Sequence, residues 1–188
     1  MTMQPQKAMR IEVDDLTQLE GVMLAAYERE LQRQLNDPCR LESLYGSQFM
    51  DAEWVHKIEG IVASAAQLLG CPNASITMVM QDSTDFLAIY GNEQSPRATQ
   101  DTYCQHVVGT RRMLVVNDAL KHNLLCTSVA ATEWGVRAYL GIPLVRGLER
   151  LVIGVFCVSD VKARKWTPAD VVILTNLAAV VSRIEQVG

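Results

Sequence analysis

Nothing in this sequence approaches the roughly 20 consecutive apolar residues that a membrane-spanning helix needs. The first residues, Met1-Thr2-Met3-Gln4-Pro5-Gln6-Lys7, carry no apolar signal core, so secretion is not expected. There is no C-x-x-C pair, and the five cysteines (Cys39, Cys71, Cys104, Cys126, Cys157) are odd in number; they read as reduced thiols of a cytoplasmic protein, not as a disulfide framework. A bias of charge is missing too. Lys and Arg number 17 against 21 Asp and Glu, a net charge of −4, and basic residues cluster only mildly at Arg111-Arg112 and between Arg146 and Arg150. No nucleic-acid partner is expected from such a surface. The sequence contains no Ser-His-Asp order, glycine-rich phosphate loop, paired catalytic carboxylates, metal-ligand cluster, internal repeat or low-complexity tract. An enzyme therefore has little to stand on, and neither a metal nor another cofactor is predicted.

What is present is one substantial core. A 188-residue chain that is 49% hydrophobic and 20% charged has the composition of a single soluble globular domain with an extension. Residues 1–13 are expected to be disordered. From Asp14 to Leu35, the residues Leu16, Leu19, Met23, Ala26, Leu31 and Leu35 recur at helical spacing among many polar residues, which reads as a partner-facing helix. Asn36-Asp37-Pro38 ends it, and Tyr45-Gly46-Ser47 marks a connector, so residues 14–49 form a helix and connector ahead of a domain at 50–188. Asp51 caps a second helix with an apolar face of Val55, Ile58, Val62, Ala65, Ala66 and Leu69, stopped by Gly70.

Residues 74–80 and 86–90 then flank a five-residue polar turn as a hairpin, and Thr102 or Asp101 caps a short helix that Gly109 closes. A short strand over 113–116 precedes a long irregular segment, 117–133. Residues 136–145 and 151–158 make a second antiparallel hairpin with a nearly all-apolar, central second strand. Thr167-Pro168-Ala169-Asp170 starts a last helix, its proline at the first helical position. The order predicts an α+β fold, with terminal helices on one face of an antiparallel sheet and pocket-forming loops and short helices on the other.

Four segments carry a family resemblance: Thr102-Tyr103-Cys104-Gln105-His106, Val115 to Ala119, Gly135 to Leu144, and Gly154 to Arg164. In order and spacing they are similar to the motifs of GAF domains of the bacterial sensor-kinase type, over about residues 50–186. The resemblance implies a central sheet of five to six antiparallel strands around one pocket, and a sensory or regulatory role. The signatures of cyclic-nucleotide-binding and bilin-binding members are missing, as are the paired thiols of the free-methionine sulfoxide reductase branch. No output domain follows the sensor segment, so the expected signal passes to a partner protein.

The expected ligand-binding set is Tyr103, Cys104, His106, Asp118, Trp134, Arg137 and Tyr139. Arg137 has the fork to hold a carboxylate or phosphate, or instead pairs internally with Asp118 or Asp160. Tyr103, Trp134 and Tyr139 line a cavity or pack a core. Cys104-x-His106 is either a tuned redox thiol or a buried cysteine beside a structural histidine; positions i and i+2 of a helix point apart, which favours the second. Cys157 reads as core filler, and His56 and His122 as surface residues. The chain is thus expected to be a non-enzymatic cytoplasmic sensor of an unknown small molecule that homodimerises through its helices. Two alternatives stand beside it: a ligand-free homodimerisation module, and a thiol redox sensor or sulfoxide-reductase-like enzyme using Cys104.

Overall fold

The computed structural model describes residues 11–12, 22–91 and 96–187. The chain runs β1 (Ile11–Glu12), α1 (Val22–Leu35), α2 (Pro38–Tyr45), α3 (Ala52–Leu69), β2 (Asn73–Val79), β3 (Ser83–Tyr90), β4 (Arg97–Ala98), α4 (Cys104–Thr110), β5 (Leu114–Val116), α5 (Val129–Thr132), β6 (Ala138–Arg146), β7 (Leu151–Asp160) and α6 (Pro168–Val187). The strands form one sheet in the order β1-β5-β6-β7-β2-β3-β4. From β5 to β4 every pairing is antiparallel, and β1 adds a short parallel rung, Ile11 against Leu114. That rung lies inside the segment expected to be disordered; residues 14–21 of the expected first helix lie outside the described residues.

Local chemistry sets the long helices. The Asp51 side chain accepts from the amides of Glu53 and Trp54, and Gly70 closes α3 in the left-handed region at φ 58. At α6 the cap is reciprocal. Thr167 N–H donates to Asp170 Oδ2 at 2.8 Å, and Asp170 N–H to Thr167 Oγ1 at 3.2 Å.

Strand periodicity then divides the core in two. One side holds Ile76, Leu140, Ile142, Phe156 and Val158 against α3 and α6, through Ile58, Val62, Leu174 and Val181. The other holds Val79, Val116, Tyr139, Val155 and Cys157 beneath α4 and α5. The helices at 52–69 and 168–187 thus share a face as expected, but α1 does not join them. It packs on α4, on the opposite side, with Leu31 7% and Leu35 2% exposed. Leu31 and Leu35 are therefore not a docking surface, as the polarity of the helix had suggested, because the packing on α4 covers them, while Met23 of the same stripe is exposed.

The close crossing has a specific cause. A Cβ at Gly109 would stand 3.1 Å from Leu31 Cα and overlap the Leu31 side chain. Gly109, expected to end α4, instead lies within it; Arg111 closes the helix at φ 55. A Gly109→Val substitution is expected to lever α1 away at a cost of about 2 kcal/mol. Urea unfolding would register it, together with faster proteolysis within α1.

The segment read as a stop and connector forms a helix of its own. Asp37 accepts from the amides of Cys39 and Arg40, and Pro38 takes the first turn, so the stop signal of α1 is the start signal of α2.

Candidate functional site

A cavity of about 230 Å³ opens on the side of the sheet covered by α4 and α5. Its floor comes from alternate positions of three neighbouring strands: Asn73 and Ser75 of β2, Cys157 and Ser159 of β7, and Tyr139 of β6. Thr102, Tyr103 and Cys104 close one side, and Ala130, Trp134 and Val136 another. At the rim the Arg97 guanidinium lies 4.8 Å from the centre of the Trp134 ring, a cation–π contact. Arg97 is the charged residue of the described wall.

Tyr139 organises the floor. Its ring lies along its own strand over Gly141, where a Cβ would sit 2.5 Å from the tyrosine oxygen. The hydroxyl reaches Cys104 Sγ at 3.4 Å, and the ring meets Tyr103 edge-on at 5.4 Å. Burial raises the Tyr139 pKa well above its ordinary value, so the phenol keeps its proton. Thr77 Oγ1 donates to Cys104 Sγ at 3.5 Å, and Ser75 Oγ lies 3.2 Å from Cys157 Sγ. Tyr103 donates to the Val136 carbonyl at 3.2 Å, tying α4 to the strand entrance.

Four of the seven expected site residues, Tyr103, Cys104, Trp134 and Tyr139, meet at this cavity. The other three do not line it. Arg137 takes the internal alternative: its Nε and Nη2 donate to Asp118 Oδ1 and Oδ2 at 3.0 and 2.6 Å. The hydrogen bonds from Arg137 hold the Asp118 carboxyl below its usual range, and Asp118 also accepts from the Leu120 amide, capping the turn at Ala119–Lys121. His106 points the other way, as expected for position i+2 from Cys104. Its Nδ1 is 2.6 Å from the Tyr27 hydroxyl of α1, and the rings stack at 6.0 Å. His122 is not a surface residue. It is 2% exposed, its Nδ1 accepting from the Leu124 amide, because the 117–133 segment folds inward around it.

Cys157 is not mere filler. It shares the cavity wall with Cys104, because the helix that carries Cys104 packs against β7. A signal existed in the sequence: Asn73, Ser75 and Thr77 alternate with apolar residues, as do Cys157 and Ser159, and such a polar stripe in a buried strand marks a cavity wall. Arg97 had no such signal. Among the described residues no group of three or more His, Cys, Asp or Glu could hold a metal, and no helix is long and apolar enough to cross a membrane.

A six-strand antiparallel curled sheet, backed by two helices and roofed by short ones over a cavity, defines one class of α+β domain. The chain belongs to the GAF domain family, whose model matches residues 57–184. Members of that family are typically sensory, ligand-binding modules. Similar solved structures include a free methionine-R-sulfoxide reductase from Neisseria meningitidis in complex with its substrate, 16% identical over 89% of this chain and 93% of that one, with a TM-score of 0.60. The GAF domain region of a putative membrane protein from Geobacter sulfurreducens is 15% identical over 76% and 100%, with a TM-score of 0.61. The blue-light-absorbing form of the PixJ GAF domain from Thermosynechococcus elongatus is 18% identical over 74% and 88%, with a TM-score of 0.57. At these identities the likeness is one of fold alone. No curated protein matches the chain.

Proposed function

We propose that this protein is a cytoplasmic, non-enzymatic regulatory GAF domain that binds a small molecule in the cavity beneath α4 and α5 and signals to a partner protein. The observation that carries the reading is the cavity itself: neutral polar groups on the floor, aromatic rings on the walls and one guanidinium at the rim. This mixture suits a compact ligand with an apolar body and an acidic group. Ligand acts on the 117–133 segment, since α5 supplies Ala130 to the wall, and shifts its population only by the difference in affinity between two arrangements.

A thermal-shift panel of free amino acids, short carboxylic acids and nucleosides tests the reading. At about 100 times the dissociation constant a true ligand stabilises by about 2.7 kcal/mol. Trp134→Ala is expected to abolish that shift, and its own melting point in the absence of ligand measures any damage to the fold. A panel in which no compound moves the melting point counts against a ligand.

Helices α3 and α6 expose Leu68, Val172 and Val180. These residues support homodimerisation through the back helices, and light scattering that returns a monomer at high micromolar concentration would remove that part.

A further inference from the structure

Cys104 opens α4 and Cys157 lies in the middle of β7, so the chain brings together two thiols from separate elements. Both are buried, and both line the cavity, which gives small molecules a route to sulfur that would otherwise be sealed. The surroundings treat them unequally. Two hydroxyls face Cys104 Sγ, Tyr139 at 3.4 Å and Thr77 at 3.5 Å, and one, Ser75 at 3.2 Å, faces Cys157 Sγ. The neighbouring Cys157 thiol, with the hydrogen bonds from Tyr139 and Thr77, outweighs burial and lowers the Cys104 pKa. Cys157 is pushed the opposite way, by the neighbouring Cys104 and then by burial, so it holds its proton. The second hydroxyl at Cys104 favours charge on that sulfur over charge on Cys157.

We propose that Cys104 and Cys157 form a peroxide-oxidisable dithiol, with Cys104 as the attacking sulfur and Cys157 as the resolving one. The Cys104 thiolate attacks one oxygen of a hydroperoxide admitted by the cavity. An S–O bond forms, the O–O bond breaks, and the distal oxygen leaves as hydroxide or alkoxide. That anion takes the Cys157 proton and departs as water or alcohol. Cys157 sulfur then attacks the Cys104 sulfenic sulfur; an S–S bond forms, the S–O bond breaks, and the released hydroxide takes up a proton as water. With hydrogen peroxide, two thiols and one peroxide give one disulfide and two waters; the sulfurs together lose two electrons and the peroxide oxygens gain them. A dithiol reductant reverses the change by exchange. The bond would tie α4 to β7 across the cavity floor, so oxidation reports on the same space that a ligand would fill. The chemistry needs the cavity only as an entrance, so it stands or falls independently of a resident ligand.

The other cysteines serve as internal controls. Cys39 is exposed, Cys126 half-buried, and Cys71 is buried with its pKa raised to about 11 by burial. The reduced full-length protein is treated with about ten equivalents of hydrogen peroxide, quenched, alkylated and mapped by mass spectrometry. The expected product is about 2 Da lighter, contains a Cys104–Cys157 cross-linked peptide, and returns to the reduced form with dithiothreitol. Cys157→Ser is expected to leave a sulfenic acid at Cys104 that a 1,3-dione traps, and Cys104→Ser to slow oxidation of Cys157 at least about tenfold. Oxidation confined to Cys39 and Cys126, with Cys104 and Cys157 both alkylated afterwards, would overturn the proposal. Because that map is made on the unsubstituted chain, a variant that failed to fold would not protect the idea.

Discussion

Replacing Arg40 with methionine is expected to lower stability by at least about 3 kcal/mol and the melting temperature by roughly 10 °C. Arg40 is 2% exposed, and the hydrogen bonds its guanidinium makes go to main-chain carbonyls: Gln34 O at 2.9 Å, Leu35 O at 2.6 Å, Val79 O at 2.6 Å and Val152 O at 3.5 Å. The first two belong to the last turn of α1, where orphaned carbonyls and the negative end of the helix dipole favour a cation. The others belong to the end of β2 and the start of β7, so one side chain joins the first helix to the sheet. Burial lowers the arginine pKa to about 10, which still leaves it charged at neutral pH. Methionine fills much of the volume but strands the carbonyls, at about 1–3 kcal/mol for each one left dry. Arg40→Lys keeps the charge and loses the fork, so an intermediate loss is expected. Equal melting temperatures for all three proteins would show that water replaces the guanidinium freely.

The second large effect is on pH dependence. Burial, and then the nearby His122, lower the His106 pKa from 6.5 to about 4 in the folded chain. The half-buried Tyr27 phenol, its own pKa raised by burial, lies 2.6 Å from His106 Nδ1, and the ring it meets is neutral. The unfolded chain therefore binds the proton first as pH falls. Stability is full above about pH 6.5, falls with decreasing pH between 6.5 and 4, and is constant in this respect below 4. The whole shift corresponds to about 3 kcal/mol, of which about 2 kcal/mol is lost between pH 7 and 5, before most carboxylates titrate. Unfolding free energies from urea titrations across that range should fall by that amount. His106→Asn, which places an amide oxygen near the position of Nδ1, should flatten the slope by about one proton. An unchanged slope in the variant would assign the acid sensitivity to another group.

These two residues also show where the sequence was readable and where it was not. Helix ends governed by adjacent residues were legible: Asp51 with Gly70, and Thr167 with Asp170, act as their types demand. The hairpins followed from alternation, as did the antiparallel layer. The helix at Pro38–Tyr45 was lost because Asp37 and Pro38 serve equally as the end of one helix and the beginning of the next. Arg40, within it, reads from sequence as one more surface charge; only the convergence of two strands and a helix end makes it interior. The site divides in the same way. Tyr103, Cys104, Trp134 and Tyr139 sit in segments that the family pattern marks, and they do meet. Arg137 carried two alternatives, and the carboxylate at Asp118 decided between them. The neighbourhood of Cys104 and Cys157 depends on the register of β7 against β2 and on the placement of α4, neither of which local spacing encodes.

Strand β7 turns Val155 and Cys157 toward the front of the sheet, and Phe156 and Val158 toward the back. It is a partition with a chamber in front and packed side chains behind, and close-packed side chains deform little before they transmit. A displacement of the front wall by even a fraction of an ångström must be met by Phe156 and Val158 behind it. The rear helices thus share a boundary with the chamber without touching anything inside it.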